Sequence, residues 1–173
     1  MPRFDARGWR LRIDGLAAQP RELRYSDLLR LPRAEQTSDF HCVTGWTVDN
    51  VRWAGVRFHD LLKLVRPLPG AHARRFVSAE TPHEDTLALG QALRSDAMLA
   101  YEMDGRSLAR PHGAPARVVL PAMYGYKSVK WVERIELVSH PSDGFWEKLG
   151  YDRNAWVGYS NGRDGCPPEV PGG

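Results

Sequence analysis

The sequence of 173 residues contains only two cysteines, Cys42 and Cys166, which allow one disulfide at most. This count excludes a small secreted domain held together by several disulfides. No CxxC pair accompanies Cys42, and the six histidines show no HExxH or similar spacing. A structural zinc site is therefore not indicated.

Long hydrophobic runs are also absent. No window approaches eighteen uninterrupted apolar residues, so we expect no membrane-spanning helix. The first fifteen residues, MPRFDARGWRLRIDG, lack the apolar core of a signal peptide. Together with a composition of 42% hydrophobic and 26% charged residues, these absences predict a soluble, cytoplasmic protein.

Lysine is scarce, and arginines spread along the chain carry most of the basic charge, with a formal net charge of +3. Because these arginines form no basic block, we expect no nucleic-acid partner. Single arginines remain candidates for binding a small anionic ligand, since the guanidinium group matches the geometry of phosphate.

Internal repeats, low-complexity linkers and glycine-rich nucleotide-binding fingerprints are missing as well. The length fits one domain, which we place at residues 1–160, followed by a Gly/Pro-rich tail at residues 161–173. Short strands with mostly local pairing, interrupted by a few short helices, differ from the regular βαβ alternation of a doubly wound sheet. The pattern predicts a mixed α+β fold.

Apolar alternation, short apolar runs and turn residues predict the individual elements. Strands are expected within residues 9–16, 35–42, 51–56, 74–81, 116–121 and 131–139. Short helices are expected within residues 25–32, 57–65 and 86–94. Ser26 is the expected cap of the first helix, Pro32 and Pro67 end the first two, and Asp104-Gly105 predicts a hairpin turn.

Cys42 lies at the end of a predicted strand, in the stretch SDFHCVTGWT at residues 38–47. Strand ends that open into glycine-containing loops often expose reactive side chains. The residues alone leave four roles open: a small buried apolar side chain, a nucleophile, a redox sensor, or the single protein ligand of a metal already held by a cofactor. His41 is a poor general base for Cys42, because adjacent residues of a strand point to opposite faces.

Residues 110–137 hold a second group of candidates. His112 lies in a turn, Arg117 opens a strand, and the loop Tyr124-Gly125-Tyr126-Lys127-Ser128 leads to Val129 and Lys130. A loop with a hydroxyl group, lysines and backbone N–H groups can hold an anion, and Arg117 can add a bidentate contact to a phosphate. Solvated basic side chains are the alternative. Tyr124 and Tyr126 are either pocket-lining or packing residues.

The segment SAETPHEDT at residues 78–86 is a third candidate. Glu80 or Thr81 at a strand end can contact the polar edge of a ligand. The alternative is a Thr-Pro turn that binds nothing.

Together these segments resemble the molybdopterin-binding domain of the sulfite oxidase family, especially the catalytic subunit of protein-methionine-sulfoxide reductase and its small soluble relatives. FHCVTGWT and VRWAGVRFHDLL resemble the cysteine motif of that family, and HGAPARVVLPAMYGYKSVKWVERIEL resembles its pterin-phosphate motif. GFWEKLGY, at residues 144–151, is similar to the segment that follows. The resemblance covers residues 9–151 and implies a single domain of mixed β-sheets with short helices.

The resemblance also implies site residues. Cys42 corresponds to the thiolate ligand of molybdenum, and Arg117 to an arginine that binds the pterin. His112 stands where the reductase has asparagine and sulfite oxidases have histidine. Thr81 corresponds to a threonine that contacts the cofactor. Ser128, Val129 and Lys130 correspond to the stretch that holds its terminal phosphate.

The implied activity is two-electron oxygen-atom transfer on a small substrate by molybdenum-molybdopterin, expected in its mononucleotide form. Sulfoxide or N-oxide reduction is preferred, because Val43, Thr44 and Gly45 replace an Asn-Arg-Arg run of sulfite oxidases. A separate haem or flavin protein would exchange electrons with the enzyme. Alternatives are sulfite oxidation, a non-catalytic carrier or sensor of molybdopterin or another phosphate ligand, and a thiol switch between Cys42 and Cys166. The carrier is an alternative because the reductase has cofactor contacts in a segment well before its cysteine, and this sequence shows no match to them.

Overall fold

Two β-sheets and several short helices make up the described part of the chain, residues 1–162, in a computed structural model. The strands are β1 (Arg10–Gly15), β2 (Arg21–Arg24), β3 (Ala34–His41), β4 (Thr47–Arg57), β5 (Ala73–Ser78), β6 (Glu84–Ala88), β7 (Met98–Met103), β8 (Arg106–Ser107), β9 (Arg117–Val119) and β10 (Val132–Val138). The α-helices are α1 (Tyr25–Leu28), α2 (Phe58–Val65) and α3 (Leu89–Ala92). Short 3₁₀ helices cover Arg110–His112, Gly125–Lys127 and Glu147–Leu149.

The first sheet has the strand order β2-β1-β10-β5-β6. Strand β1 pairs with β10 in parallel, and the other pairs in this sheet are antiparallel. Ile13 lies opposite Ile135 in the β1–β10 pair, and both side chains are buried. Alternation of apolar and polar residues therefore turns one face of these strands toward the core.

The second sheet has the order β3-β4-β7-β8, with β9 also paired to β7. Gly55 of β4 approaches β7 so closely that a Cβ atom there would lie 2.1 Å from the carbonyl oxygen of Leu99. The two strand ends that matter for the site, the end of β3 and the start of β9, both belong to this sheet.

The structure confirms the predicted mixed α+β fold. It contains a strand in each predicted strand segment and helix α2 where its apolar spacing predicts it. The predicted hairpin turn is also present, since Asp104 and Gly105 both have positive φ between β7 and β8. No helix among residues 1–162 is both long enough and apolar enough to cross a membrane.

Three local predictions were wrong. Pairing is not mostly local, because β1 joins β10 and β4 joins β7. Ser26 does not cap α1; the carboxylate of Asp27 accepts a hydrogen bond from the N–H of Arg24, the N-cap residue, at 3.0 Å. Residues 86–88 continue strand β6, because the buried Thr86 and Leu87 pair with β5, and only Leu89–Ala92 is helical.

The boundary between a domain at residues 1–160 and a tail at residues 161–173 stays a prediction. Most of that tail, including Cys166, lies outside the described residues. The proposed disulfide between Cys42 and Cys166 therefore also stays untested.

Candidate functional site

A cavity of about 550 Å³ is lined by residues at and beyond the ends of β3 and β5, by the segment at the start of β9, by residues 125–126 and 128–131, and by aromatic residues of segment 145–151. It contains six of the seven predicted site residues. These are Cys42, His112, Arg117, Ser128, Val129 and Lys130. Segments that are far apart in sequence therefore meet around one cavity, as the motifs predict.

Cys42 opens the tight loop that joins β3 to β4. The Cys42 N–H donates to the carbonyl oxygen of Trp46 at 2.9 Å, and the Gly45 N–H donates to the carbonyl of Cys42 at 3.0 Å. Gly45 has φ +103°, a left-handed conformation that glycine adopts without strain. The loop holds Cys42 at the cavity wall, half-buried and without a disulfide partner among residues 1–162.

His41 is not among the residues that line the cavity. Its Nδ1 lies 2.9 Å from the hydroxyl of Thr47, the residue opposite it in the β3–β4 pair. This position agrees with the expectation that His41 does not serve Cys42 as a general base.

Arg117 is the buried cation of the cavity, with only 6% of its surface exposed. Its guanidinium group lies over the rings of Phe40 and Trp53, with centroid distances of 5.2 and 5.3 Å, and donates to the carbonyl oxygen of His112 at 3.2 Å. It forms no salt bridge with a carboxylate of residues 1–162. Burial lowers the pKa of Arg117 to about 10, so the group is still protonated at neutral pH.

Lys130 is the second cation in the cavity wall. Its ammonium group donates to the carbonyl oxygen of Pro111 at 3.1 Å and lies 4.4 Å from the ring centroid of Trp131. Burial lowers the pKa of Lys130, the neighbouring Arg117 cation lowers it further, and Glu80 partly offsets both effects. Because the Arg117 cation disfavours the protonated form of Lys130, an anion bound near both groups would offset that repulsion.

Two glycines allow the segments around these cations to pack closely. A Cβ atom on Gly113, which has φ +104°, would lie 3.0 Å from the Cβ of Lys130 and 3.1 Å from that of Arg117. A Cβ on Gly125 would lie 2.3 Å from the ring of Phe40, the ring beneath the Arg117 guanidinium. Both glycines therefore help to place the charged groups at the cavity.

Lys127 differs from the sequence prediction, which placed it in an anion-binding loop. Its side chain is fully buried, is not part of the cavity wall, and donates to Asp85 Oδ1, to Glu147 Oε1 at 2.8 Å and to the carbonyl oxygen of Thr86 at 3.2 Å. Burial raises the pKa of Asp85 to about 7, with a further contribution from Glu147 that the Lys127 ammonium opposes. We call Asp85, Lys127 and Glu147 the buried triad.

Thr81 is exposed and does not line the cavity, although Ser78, Glu80 and His83 from the same segment do. Strand β5 ends at Ser78, three residues before Thr81, so the expected polar strand end lies in the turn beyond it. A cofactor contact by Thr81 stays a prediction.

An aromatic wall covers one side of the cavity, and the residue pattern did not predict it. The rings contact in series, with centroid distances of 4.5 Å (His83–Phe145), 5.1 Å (Phe145–Trp146), 5.6 Å (Trp146–Tyr151) and 5.2 Å (Tyr151–Tyr126). Tyr126 thus lines the cavity, whereas the hydroxyl of the buried Tyr124 accepts the Gly158 N–H at 3.1 Å outside it. The available signal was the aromatic density of GFWEKLGY at residues 144–151.

The donor set fits a phosphate-bearing pterin with a sulfur-ligated metal. Two cations lacking a salt bridge within residues 1–162, Arg117 and Lys130, suit a phosphate group. A thiol in the same cavity suits a redox-active metal that prefers soft ligands, and aromatic rings suit the flat faces of a pterin.

Comparisons with known proteins agree with this fit. Residues 1–146 match the family model of the oxidoreductase molybdopterin binding domain. The chain is 37% identical over 148 residues to the uncharacterized oxidoreductase YuiH of Bacillus subtilis (strain 168), covering 85% of this chain and 74% of that protein. It is also 32% identical over 174 residues to sulfite oxidase of Arabidopsis thaliana, covering 80% of this chain and 44% of the plant protein.

A further relative is the protein-methionine-sulfoxide reductase catalytic subunit MsrP of Gluconobacter oxydans (strain 621H), 32% identical over 161 residues, with 83% of this chain and 51% of that protein covered. The fold is similar to that of the sulfane dehydrogenase SoxCD from Paracoccus pantotrophus, with a TM-score of 0.76, 26% identity, and coverage of 81% of this chain and 40% of that chain. The chain thus spans about half or less of the length of the sulfite oxidase, the reductase and the dehydrogenase. Its predicted family, fold and molybdopterin cofactor are confirmed: the chain belongs to the oxidoreductase molybdopterin-binding domain family.

Proposed function

We propose that the cavity binds molybdenum-molybdopterin and that the protein catalyses two-electron oxygen-atom transfer on a small substrate, with sulfoxide or N-oxide reduction preferred. The observation that carries this proposal is the presence of Cys42 and of two cations without salt bridges among residues 1–162, Arg117 and Lys130, in one cavity. A carboxylate-paired surface arginine would not need a ligand, but a buried unpaired one is costly unless an anion joins it.

Each predicted contact then has a physical role. Arg117 and Lys130 bind the terminal phosphate, and Ser128 adds a hydroxyl donor beside the backbone of Val129. The mononucleotide form of the cofactor stays a prediction. His112 lies at the cavity wall, and its own carbonyl oxygen accepts a hydrogen bond from Arg117. Its proposed role is a contact with the pterin. Thr81 would reach the cofactor only from outside the present cavity wall.

The Cys42 thiolate is the proposed protein ligand of molybdenum. When bound, the cofactor supplies the two-electron and oxygen-transfer chemistry, which no side chain of this protein supplies by itself. The chain's own contribution is to hold a sulfur atom at a fixed point of the cavity, through the backbone hydrogen bonds of the β3–β4 loop. The cations at the phosphate set the position of the rest of the cofactor.

Neutral substrates are favoured over sulfite by the loop beside Cys42. Val43, Thr44 and Gly45 offer no basic side chain to an oxyanion, and the aromatic wall suits an uncharged sulfoxide or N-oxide. The names of the relatives include both a sulfite oxidase and a protein-methionine-sulfoxide reductase, so sulfite oxidation is the second candidate.

A separate haem protein or flavoprotein is the proposed electron partner. One related protein is described as a catalytic subunit, which implies another subunit in that system. The cytoplasmic location stays a prediction, and fractionation of the source cells tests it.

The experiment is purification from a host that makes molybdopterin, followed by metal and pterin analysis and dye-linked assays in both directions. We expect near-stoichiometric molybdenum, its loss in Cys42→Ser, and reduction of methionine sulfoxide or another S- or N-oxide. Exchange of the exposed Arg106 of β8 for Gln is the control that leaves the molybdenum content unchanged.

Other results select the alternatives. Sulfite oxidation without oxide reduction would replace the preferred substrate class. Bound molybdenum without turnover of any tested substrate would support the carrier or sensor. Metal-free protein with a disulfide between Cys42 and Cys166 would reject the enzyme and support the thiol switch.

A further inference from the structure

The loop beside Cys42 brings one polar side chain to the sulfur atom. The Thr44 Oγ1 lies 3.0 Å from the Cys42 Sγ. Both residues belong to the loop 42–46 between β3 and β4, which is closed by the hydrogen bond from the Cys42 N–H to the Trp46 carbonyl, by that from the Gly45 N–H to the Cys42 carbonyl, and by the left-handed φ of Gly45. The loop itself therefore fixes the hydroxyl at the sulfur.

The direction of this hydrogen bond depends on the state of Cys42. In the free thiol, either atom can be the donor. A thiolate that ligates a metal has no proton to donate, whereas the threonine hydroxyl keeps its proton and its freedom to rotate. In the loaded protein, Thr44 is therefore the donor and the thiolate sulfur is the acceptor.

We infer that Thr44 is a positioning residue that acts through Cys42, donating a hydrogen bond to the metal-bound sulfur and raising the reduction potential of the metal. The inference rests on the proposed function and adds a residue to it. A hydrogen bond withdraws electron density from the sulfur, so the thiolate donates less to the metal, and the electron-poor oxidised state loses stabilisation relative to the reduced state. Hydrogen bonds to ligating sulfurs are an established means by which proteins set redox potentials.

The same contacts restrict the position of the Cys42 Sγ. The Thr44 hydroxyl lies at one side of the Cys42 Sγ, and the hydrogen bond from the Cys42 N–H to the Trp46 carbonyl fixes the backbone that carries this side chain. Thr44 also lines the cavity, so its methyl and hydroxyl groups border the space beside Cys42. Reaction at a metal bound there would take place next to this side chain.

The test compares Thr44→Val with Thr44→Ser in the molybdenum-loaded protein. Valine has the shape of threonine and its β-branch but no hydroxyl, whereas serine keeps the hydroxyl without the methyl group. Thr47→Val is the matched control, because its hydroxyl in the same hairpin contacts His41 and not Cys42. The readouts are molybdenum and pterin content, potentiometric titration of the molybdenum signal, and the energy of the sulfur-to-metal charge-transfer absorption.

For Thr44→Val we expect full molybdenum content, an absorption band at lower energy and a lower reduction potential. The oxidised-to-reduced ratio at a fixed potential should rise roughly three- to tenfold, tenfold being about 59 mV for one electron. Thr44→Ser and Thr47→Val should keep the potential of the original protein.

Three results would overturn the inference. One is an unchanged potential in Thr44→Val, and another is the same shift in Thr44→Ser or Thr47→Val. The third is loss of molybdenum from Thr44→Val alone, which would make the hydroxyl a requirement for binding and not a control of the potential. A starting protein without molybdenum would instead reject the proposed function, so the two failures are distinguishable.

Discussion

The buried triad predicts an unusual effect of pH on folding stability, which Asp85→Asn isolates. Asp85, Lys127 and Glu147 put two carboxylates and one ammonium group in the interior, with 1%, 0% and 2% of their side chains exposed. When all three are ionised, the triad carries one net negative charge away from water. Protonation of Asp85 removes that charge, which agrees with the raised pKa of this carboxyl.

The size of the effect follows from linkage. The pKa of Asp85 rises from an ordinary 3.8 to about 7 on folding, because burial disfavours the charged form. A folded-state pKa above the unfolded value gives stability that is complete below about pH 4 and is lost as the pH rises to about 7. Each tenfold change in proton affinity is worth about 1.4 kcal/mol, so the full loss is about 4 kcal/mol.

Asparagine removes the titration but keeps an oxygen that accepts from Lys127. The other carboxylate oxygen, Asp85 Oδ2, is buried without a partner within residues 1–162, so the new amide adds a cost there that does not depend on pH. The prediction therefore concerns how the difference in free energy of unfolding between the two proteins changes with pH. The stability of Asp85→Asn relative to the original chain should rise by about 4 kcal/mol between pH 4 and pH 8.

The assay is urea denaturation of both proteins at several pH values, in their metal-free forms so that cofactor binding does not contribute. Glu84→Gln is the contrasting control in the same strand. Burial raises the pKa of Glu84, but hydrogen bonds and charges from Arg75 and Lys148 outweigh it and lower the pKa overall. That variant should therefore lose stability near pH 7 and approach the original protein as the pH falls.

A difference in free energy of unfolding that stays constant from pH 4 to pH 8 would refute the raised pKa of Asp85. So would an Asp85→Asn protein that becomes less stable, relative to the original chain, as the pH rises. Either result would mean that folding does not raise the pKa of Asp85 above its unfolded value.

Three other substitutions test the site and its supporting sheet. Arg117→Gln should weaken cofactor binding roughly ten- to hundredfold, because it removes a charge-assisted phosphate contact. The measurement is the molybdenum retained after dialysis, and full retention would contradict the phosphate role. Gly125→Ala should displace Phe40 from beneath the Arg117 guanidinium and also lower molybdenum retention, and unchanged retention would show that Phe40 does not position Arg117. Gly55→Ala should lower the free energy of unfolding, measured by urea denaturation, by roughly 3 kcal/mol or more, because the new methyl group meets the backbone of β7. The control Gly70→Ala, with open space around the new methyl group, should change it by no more than about 0.5 kcal/mol.

The order and type of most elements could be predicted, because alternation and turn residues act over short distances. Leu11 and Ile13 in β1, for example, predict a strand with one buried face. The same alternation does not say which strand lies beside that face. The pairing of β1 with β10 joins Ile13 to Ile135, and it depends on the packing of the whole core.

Helix starts were less predictable than strands because several residues compete for the same N–H groups. Ser26 has the side chain of a good cap, yet Asp27 is placed one residue later and its carboxylate accepts the Arg24 N–H. At residues 86–88, pairing with β5 overrides a helical pattern, since Thr86 and Leu87 are buried at the sheet.

The site motifs could be found in the sequence, but the residues alone did not separate the functions of Lys127 and Lys130. The two lysines are close in sequence, so both were candidates for an anion contact, and only the family resemblance selected Lys130 for the phosphate. The partners that bury Lys127 come from elsewhere, Asp85 at 42 residues away and Glu147 at 20 residues away. Only the three-dimensional structure shows that one lysine is already neutralised.

The counter-ions of the buried cations thus distinguish the scaffold from the ligand site. Lys127 has two carboxylates within hydrogen-bonding distance, and its triad ties β6 to the 3₁₀ helices Gly125–Lys127 and Glu147–Leu149. Arg117 is nearly as buried but contacts only carbonyl oxygens and aromatic rings within residues 1–162. Since a buried cation without an anion is costly, the structure accounts for Lys127 by itself but accounts for Arg117 only with an anionic ligand. This contrast, together with the thiol of Cys42 in the same cavity, is the physical reason to place a phosphate-bearing cofactor there.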